Sequence, residues 1–312
     1  MRCVPRTDAG AGRLRPPRRK LDAVLLLDKP AGYSSNQCLG VIKRLYSAQK
    51  AGHTGTLDPF ATGLLPVALG EATKFSQGML DADKTYLATM RLGVTTSTGD
   101  PEGAIVAHAE VAADAASIAS AMAAFAGEIE QIPPMYSALK RDGRPLYEYA
   151  RAGIELERAP RRVVIRALDL LAVSGADVVF RVRCSKGTYV RTLAEDIGKR
   201  LGCGAHLTAL RREAVGSLPL ADAHSVAALE AMDENARAAC LLPADTLVAH
   251  LPRVVFDAVE TGRLELGQRL ASRHDDDHPP GLVRAYTADD RFVGLVEIGA
   301  GVVRPVRLVA GA

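Results

Sequence analysis

The segment Gly52-His53-Thr54-Gly55-Thr56-Leu57-Asp58-Pro59-Phe60-Ala61-Thr62-Gly63 restricts the architecture of this chain more than any other. It belongs to a longer run, residues 50–70, that is rich in Gly, Thr and Pro, poor in charge and without helical or strand periodicity. Gly52, Gly55 and Gly63 let another backbone or a ligand approach closely. Pro59 stiffens the chain and biases Asp58 toward an extended backbone. Asp58 stands between Leu57 and Phe60, an apolar setting in which a carboxylate needs a partner. His53 precedes it in the same loop and comes within reach if the loop folds back. A lone Asp-Pro reads as a turn with a capping Asp; the coincidence of all four features reads as a site.

Periodic segments flank this loop. Residues 23–27 form a short apolar run, a buried strand, and Asp28-Lys29-Pro30-Ala31-Gly32 is turn chemistry. Ser34 and Ser35 can cap a helix running to about Tyr46, with Val41, Ile42 and Leu45 on one face. Residues 85–92 read as a strand and 117–125 as an alanine-rich helix. Residues 163–173 and 178–184 read as strands of a hairpin closed by Ser174-Gly175-Ala176-Asp177. A helix is expected over 188–201 and a strand over 206–215. After a connection at 243–252 come a short helix near Val259 and strands at 282–286, 292–298 and 302–309, a small β-rich C-terminal domain. The expected division is an arm at 1–20, a main domain at 21–245 and a C-terminal domain at 246–312.

Composition narrows the function classes. With 48% hydrophobic and 24% charged residues, a chain of this length buries a large core without disulfides or metals. Aromatics are 4% and Trp is absent, which argues against an aromatic-lined carbohydrate cleft or an array of base-stacking platforms. The net charge of +3 is unevenly spread: residues 1–20 carry seven Lys/Arg against one Asp, while residues 215–312 carry nine against 14 acidic. Nucleic-acid binding would therefore be local and helped by the basic arm. Five cysteines, an odd number without a C-x-x-C, argue against a disulfide framework or a Cys-based zinc site and for a reducing compartment. No apolar run approaches the ~18 residues of a membrane span. Arg18-Arg19-Lys20 resembles a twin-arginine export signal only faintly, because the apolar run after it is too short. The arm, with Pro5, Pro16 and Pro17, reads as disordered, on a cytoplasmic protein.

The loop matches neither a P-loop nor a dinucleotide-binding fingerprint, and no G-x-S-x-G occurs. It closely resembles the motif of the bacterial tRNA pseudouridine-55 synthases, the pseudouridine synthase B family. The resemblance continues in Leu26-Leu27-Asp28-Lys29-Pro30, Gly70-Glu71-Ala72-Thr73-Lys74, Lys84-Thr85-Tyr86 and Pro133-Pro134-Met135-Tyr136-Ser137-Ala138-Leu139-Lys140. It extends through Tyr147-Glu148-Tyr149-Ala150-Arg151, Cys184-Ser185-Lys186-Gly187-Thr188-Tyr189-Val190-Arg191, Gly202-Cys203-Gly204-Ala205-His206 and Leu210-Arg211-Arg212. These blocks run in family order over about residues 22–216; the C-terminal domain matches loosely.

The resemblance implies an α+β fold: a mixed, largely antiparallel catalytic sheet followed by a small PUA-like domain. It implies isomerisation of one uridine in the T-loop of tRNA, with no redox cofactor, metal or ATP, by an enzyme working as a monomer without guide RNA. Asp58 is then the catalytic carboxylate. Arg191 would pair with it and hold it ionised. Tyr86 would stack on the flipped uracil, Tyr189 lie against the same base or sugar, and Leu210 wall the pocket against water. His53 would help to fill the space the flipped nucleotide leaves, rather than act as a base. Lys29, Lys74, Lys84, Lys186, Arg211 and Arg212 are candidate phosphate contacts. His274-Asp275-Asp276-Asp277-His278 has the look of a metal cluster, but Pro279-Pro280 argues against the helix that would align its histidines, and it reads as a solvated acidic loop. Two other readings stay open at this level: an RNA-binding protein without catalysis, and an N-glycosidase releasing uracil. So does the step Asp58 performs, whether attack on the sugar, addition to the base or abstraction of a sugar proton.

Overall fold

The computed structural model describes residues 18–273 and 280–310. Residues 1–17 of the expected arm and the 274–278 cluster lie outside the described residues. The arm does not extend to residue 20 as expected. Arg19 N–H donates to the Ser47 carbonyl at 2.6 Å and its own carbonyl accepts from Gln49 at 3.1 Å. Its guanidinium pairs with Glu234. Three interactions within reach of one residue tie the chain down before the first strand begins.

A mixed sheet of eleven strands organises the larger part of the molecule. Its order is His224–Ser225, Ala23–Lys29, Thr62–Leu69, Ala205–Val215, Lys84–Leu92, Asp177–Cys184, Arg161–Ser174 and Gly127–Gln131, with three short strands beside this path. Among the described residues, two strand pairs of this sheet are parallel: His224–Ser225 with Ala23–Lys29, and Ala205–Val215 with Thr62–Leu69. The hairpin expected from the sequence closes with Ser174 paired to Asp177 and Gly175 at a φ of 58°. Alternation survives along Asp177–Cys184, where Val178, Phe180, Val182 and Cys184 are buried. Helices cover this framework, among them the following two. Ser35–Leu45 starts in a capping box, the Ser34 hydroxyl accepting from Gln37 N–H while the Gln37 side chain accepts from Ser34 N–H. Val190–Arg200 buries Leu193, Ala194 and Ile197 in the core cluster that also holds Met90, Phe180 and Leu210.

The strand Thr62–Leu69 lies inside the stretch that showed no period. Residues 63 through 69 are buried without alternation, because neighbours cover both faces. Pro66 interrupts the run of donors, yet its carbonyl still accepts from Thr54 N–H at 3.1 Å. Where this strand begins, it meets Ala205–Val215 in a two-residue parallel contact, Arg211 opposite Thr62 and Arg212 opposite Gly63. That contact joins the two halves of the sheet, and the loop carrying Asp58 leads directly into it.

The C-terminal part is a five-stranded sheet in the order Arg253–Phe256, Gly281–Thr287, Phe292–Gly299, Val302–Leu308 and Leu270–Ala271, with the helix Ala258–Glu265 packed against it. It meets the 3-10 turn Gly70–Phe75, which follows the Thr62–Leu69 strand, through an edge-to-face contact of Phe75 with Phe292, whose ring centroids lie 5.1 Å apart. No helix among the described residues is long and apolar enough to cross a membrane.

Gly63 allows the junction to close. Its φ is +102°, and a Cβ there would stand 2.3 Å from the Arg212 carbonyl oxygen. Gly63→Ala is therefore expected to lower stability by roughly 3 kcal/mol or more, since backbone strain and a backbone clash add. Gly143, whose φ is +78° and whose Cβ would meet nothing within 4 Å, provides the control. Gly143→Ala should cost only about 1 kcal/mol in urea unfolding, and equal losses would refute the close-approach account.

Candidate active site

The loop from Thr54 to Ala61 lacks a ladder of its own, and side chains from the surrounding elements hold it. The Ser35 hydroxyl accepts from Leu57 N–H at 2.8 Å and donates to the Leu57 carbonyl at 3.1 Å. Lys29 Nζ donates to the carbonyls of Pro30, Tyr33 and Pro59. Arg212 donates to the carbonyls of Leu64 at 2.7 Å, Gly55 at 3.1 Å and Thr56 at 3.4 Å. Ala61 N–H closes a turn onto the Asp58 carbonyl at 3.1 Å.

These contacts correct part of the expected phosphate set. Lys29 is 0%, Arg212 1% and Lys84 8% exposed. Lys84 Nζ donates to the carbonyls of Met79, Leu80 and Ala82. A buried cation held by backbone carbonyls cannot reach a surface phosphate. Lys74 pairs with Glu71, Lys186 with Asp81 and Arg211 with Asp28, and all three retain solvent contact.

At the end of the loop, Asp58 meets Arg191, from the first turn of the Val190–Arg200 helix, with Arg191 Nε 3.0 Å from Asp58 Oδ2. The guanidinium also reaches Asp100 Oδ2 at 3.2 Å, the Thr98 carbonyl at 2.9 Å and the Tyr136 carbonyl at 2.7 Å. A side chain with five donors in a fixed plane thus holds one edge for Asp58 and spends the rest on structure. Asp100, buried, was not singled out from the sequence. Its only local signal is Gly99-Asp100-Pro101, ordinary turn chemistry.

Asp58, Tyr86, Tyr189, Arg191, Leu210 and Arg212 line one cleft of about 330 Å3. Strand register explains part of this convergence. Tyr86 is opposite Arg212 and Ala88 opposite Leu210, so Tyr86, Leu210 and Arg212 share a face. Tyr189 precedes the helix that carries Arg191, and its backbone is held at both ends by the Gln131 amide. His53 is the exception: it lies on the short strand Ala51–His53, opposite Val67, outside the lining of the cleft. Among the described residues its Nδ1 is buried without a partner.

Burial pushes the Asp58 carboxyl above its ordinary value; Arg191 opposes this, Asp100 adds to it, and Lys29 opposes it. The net direction is upward, so the expected lowering by Arg191 is only a partial offset of the desolvation. Burial likewise raises Tyr86 and Tyr189, and it lowers His53 with help from the charge of Arg212, which leaves all three neutral near pH 7.

Comparison with known proteins places the chain in a family. Residues 43–190 match the family described as TruB family pseudouridylate synthase (N terminal domain). Residues 191–249 match the tRNA pseudouridylate synthase B C-terminal domain, and residues 252–309 match pseudouridine synthase II TruB, C-terminal. The fold and the family matches are those of a pseudouridine synthase, an enzyme that isomerises uridine in RNA. The chain is 58% identical to the tRNA pseudouridine synthase B of Burkholderia mallei over 95% of this chain and 97% of that one. It is also 58% identical to the protein of the same name from Thiobacillus denitrificans, over 95% and 99%. The chain belongs to the TruB family of pseudouridine synthases. Among solved structures, a chain of an H/ACA RNP bound to a substrate RNA containing 2'-deoxyuridine is similar with a TM-score of 0.68 and 27% identity, covering 92% of this chain and 86% of that one. A chain of a Cbf5-Nop10-Gar1 complex gives 0.67 and 30%, covering 88% and 78%.

The upward shift of Asp58 has a kinetic consequence. If the ionised carboxylate is the working form, kcat/KM falls as pH drops through a value above the ordinary 3.8. Arg191→Met removes the strongest opposing influence and should move that acid limb to higher pH. An unmoved limb would assign it to another group. Arg191→Lys, which keeps the charge but not the planar fork, should still lose at least about tenfold in rate.

Proposed function

We propose that this protein converts uridine to pseudouridine at position 55, in the T-loop of tRNA, by flipping the base into the cleft and exchanging its glycosidic bond with the help of Asp58. The observation that carries this reading is the half-buried Asp58 carboxylate, held by Arg191 at the mouth of a cleft walled by Tyr86, Tyr189 and Leu210. The names of the relatives at 58% identity, tRNA pseudouridine synthase B, support tRNA as the substrate. Position 55 rests on the motif resemblance and on a compact loop being recognisable by shape and stacking.

Asp58 performs the nucleophilic or base chemistry, Tyr86 stacks on the flipped uracil, Tyr189 lies against base or sugar, and Leu210 limits water. His53, off the cleft, occupies the position the nucleotide vacates. The protein works as a monomer in the cytoplasm and without guide RNA, although structural neighbours come from H/ACA particles. Its catalytic domain spans residues 21–245 and its PUA-like domain 246–312.

The test uses a tRNA transcript carrying tritium at uridine C5, because isomerisation releases that hydrogen without changing the mass of the nucleoside. Tritium release is expected from wild-type protein and its loss when uridine 55 is replaced by cytidine. Asp58→Asn should abolish release while tRNA binding stays within about tenfold, or ~1.4 kcal/mol. Near-normal turnover by Asp58→Asn would overturn the assignment, and free uracil as the product would make the protein a glycosidase instead.

A further inference from the structure

The inner wall of the cleft carries two buried cations, Arg212 and Lys84, and neither has a carboxylate within ion-pair distance among the described residues. Arg191, in the same cleft, is by contrast matched by both Asp58 and Asp100. Backbone carbonyls take the three donors of Lys84 and three of the five of Arg212, but dipoles do not cancel a charge. The two cations also repel one another, one reason that Lys84 is lowered to about 8, after burial itself. Two like charges buried beside a cavity, neither of them in an ion pair, are costly unless negative charge arrives there during function. Arg212 is the better placed of the two to meet it. It is paired across the strands with Tyr86, and both side chains line the cleft.

We propose that Arg212, acting through the Tyr86 hydroxyl, stabilises the negative charge that develops on the uracil ring when its bond to the sugar breaks. This rests on the reading of the cleft as the site of uridine isomerisation. When N1–C1′ breaks, its electron pair stays on the ring, spread over N1 and the two carbonyl oxygens, and C1′ is left electron-poor. The ring turns, the C5–C1′ bond forms from that electron density, the C5 proton leaves to solvent and N1 takes one up. Atoms and electrons balance without a further reagent. Charge on the ring exists only between the two bonds, so a cation fixed beforehand and kept from water favours the intermediate over the neutral uridine. Arg212 is thus a positioning and electrostatic residue, distinct from Arg191, whose charge is already neutralised.

The test compares uridine with 5-fluorouridine at position 55 under single-turnover conditions, reading the disappearance of the parent nucleoside by chromatography after digestion. Fluorine withdraws electrons and stabilises the ring anion by itself, so it should reduce the need for Arg212. Arg212→Gln is expected to slow uridine loss by about 10²–10³-fold, the range for removing one such donor, and to slow 5-fluorouridine loss at least tenfold less. Because Arg212 also holds Gly55 and Thr56, Tyr86→Phe is the second variant. It leaves those contacts in place and should show the same selective sparing of the fluorinated substrate. Equal losses on both substrates in Tyr86→Phe, or in a folded Arg212→Gln, would overturn the proposal and leave a structural clamp. If wild-type protein consumes neither substrate, it is the reading of the site that fails.

Discussion

Arg191 joins parts of the chain that no backbone ladder brings together. Its donors reach Asp58 in the glycine-rich loop, Thr98 and Asp100 in a turn, and Tyr136 in the segment after the Gly127–Gln131 strand. Buried arginine is tolerated there because two carboxylates and two carbonyls replace its water. Without it Asp58 would be an ill-placed carboxylate facing Asp100. Orientation and charge balance at the site therefore depend on the same side chain.

A second buried arginine makes that arrangement possible. Arg212 faces Gly63 in the short parallel contact between the halves of the sheet, and its guanidinium gathers the carbonyls of residues 55, 56 and 64. Lys29 and Ser35 secure the rest of the loop. An irregular backbone can be held as firmly as a strand when side-chain donors meet its carbonyls one by one. The loop thus gains precision without giving up the exposure of Asp58, whose side chain remains 32% accessible.

Opposed influences act on the Asp58 carboxyl. Burial favours the neutral form; Arg191 and Lys29 favour the ion. The cleft walls, Tyr86 and Leu210, arise from strand alternation, and the helix bearing Arg191 presses its apolar face into the same core. Active-site geometry and core packing share residues, so the site rests on the rigid part of the fold.

Periodicity made the strands at Lys84–Leu92, Asp177–Cys184 and Ala205–Val215 legible, because each has one face buried or alternates clearly enough to show it. It could not reveal Thr62–Leu69, buried on both faces and interrupted by Pro66. Asp58, Arg191, Tyr86, Tyr189 and Leu210 were legible as a set only through motif resemblance, and they do line one cleft. Residue type misled for Lys29, Lys84 and Arg212, since a charged side chain is ordinarily a surface group. Nor could the sequence place Asp100 beside Arg191, 91 positions away. What the amino-acid sequence determined by itself was local: caps, turns, alternation and the chemistry available in each loop. Which charges are buried, and which carboxylate faces which guanidinium, was decided by tertiary structure alone, because desolvation and pairing depend on neighbours that only the folded chain brings within a few ångströms.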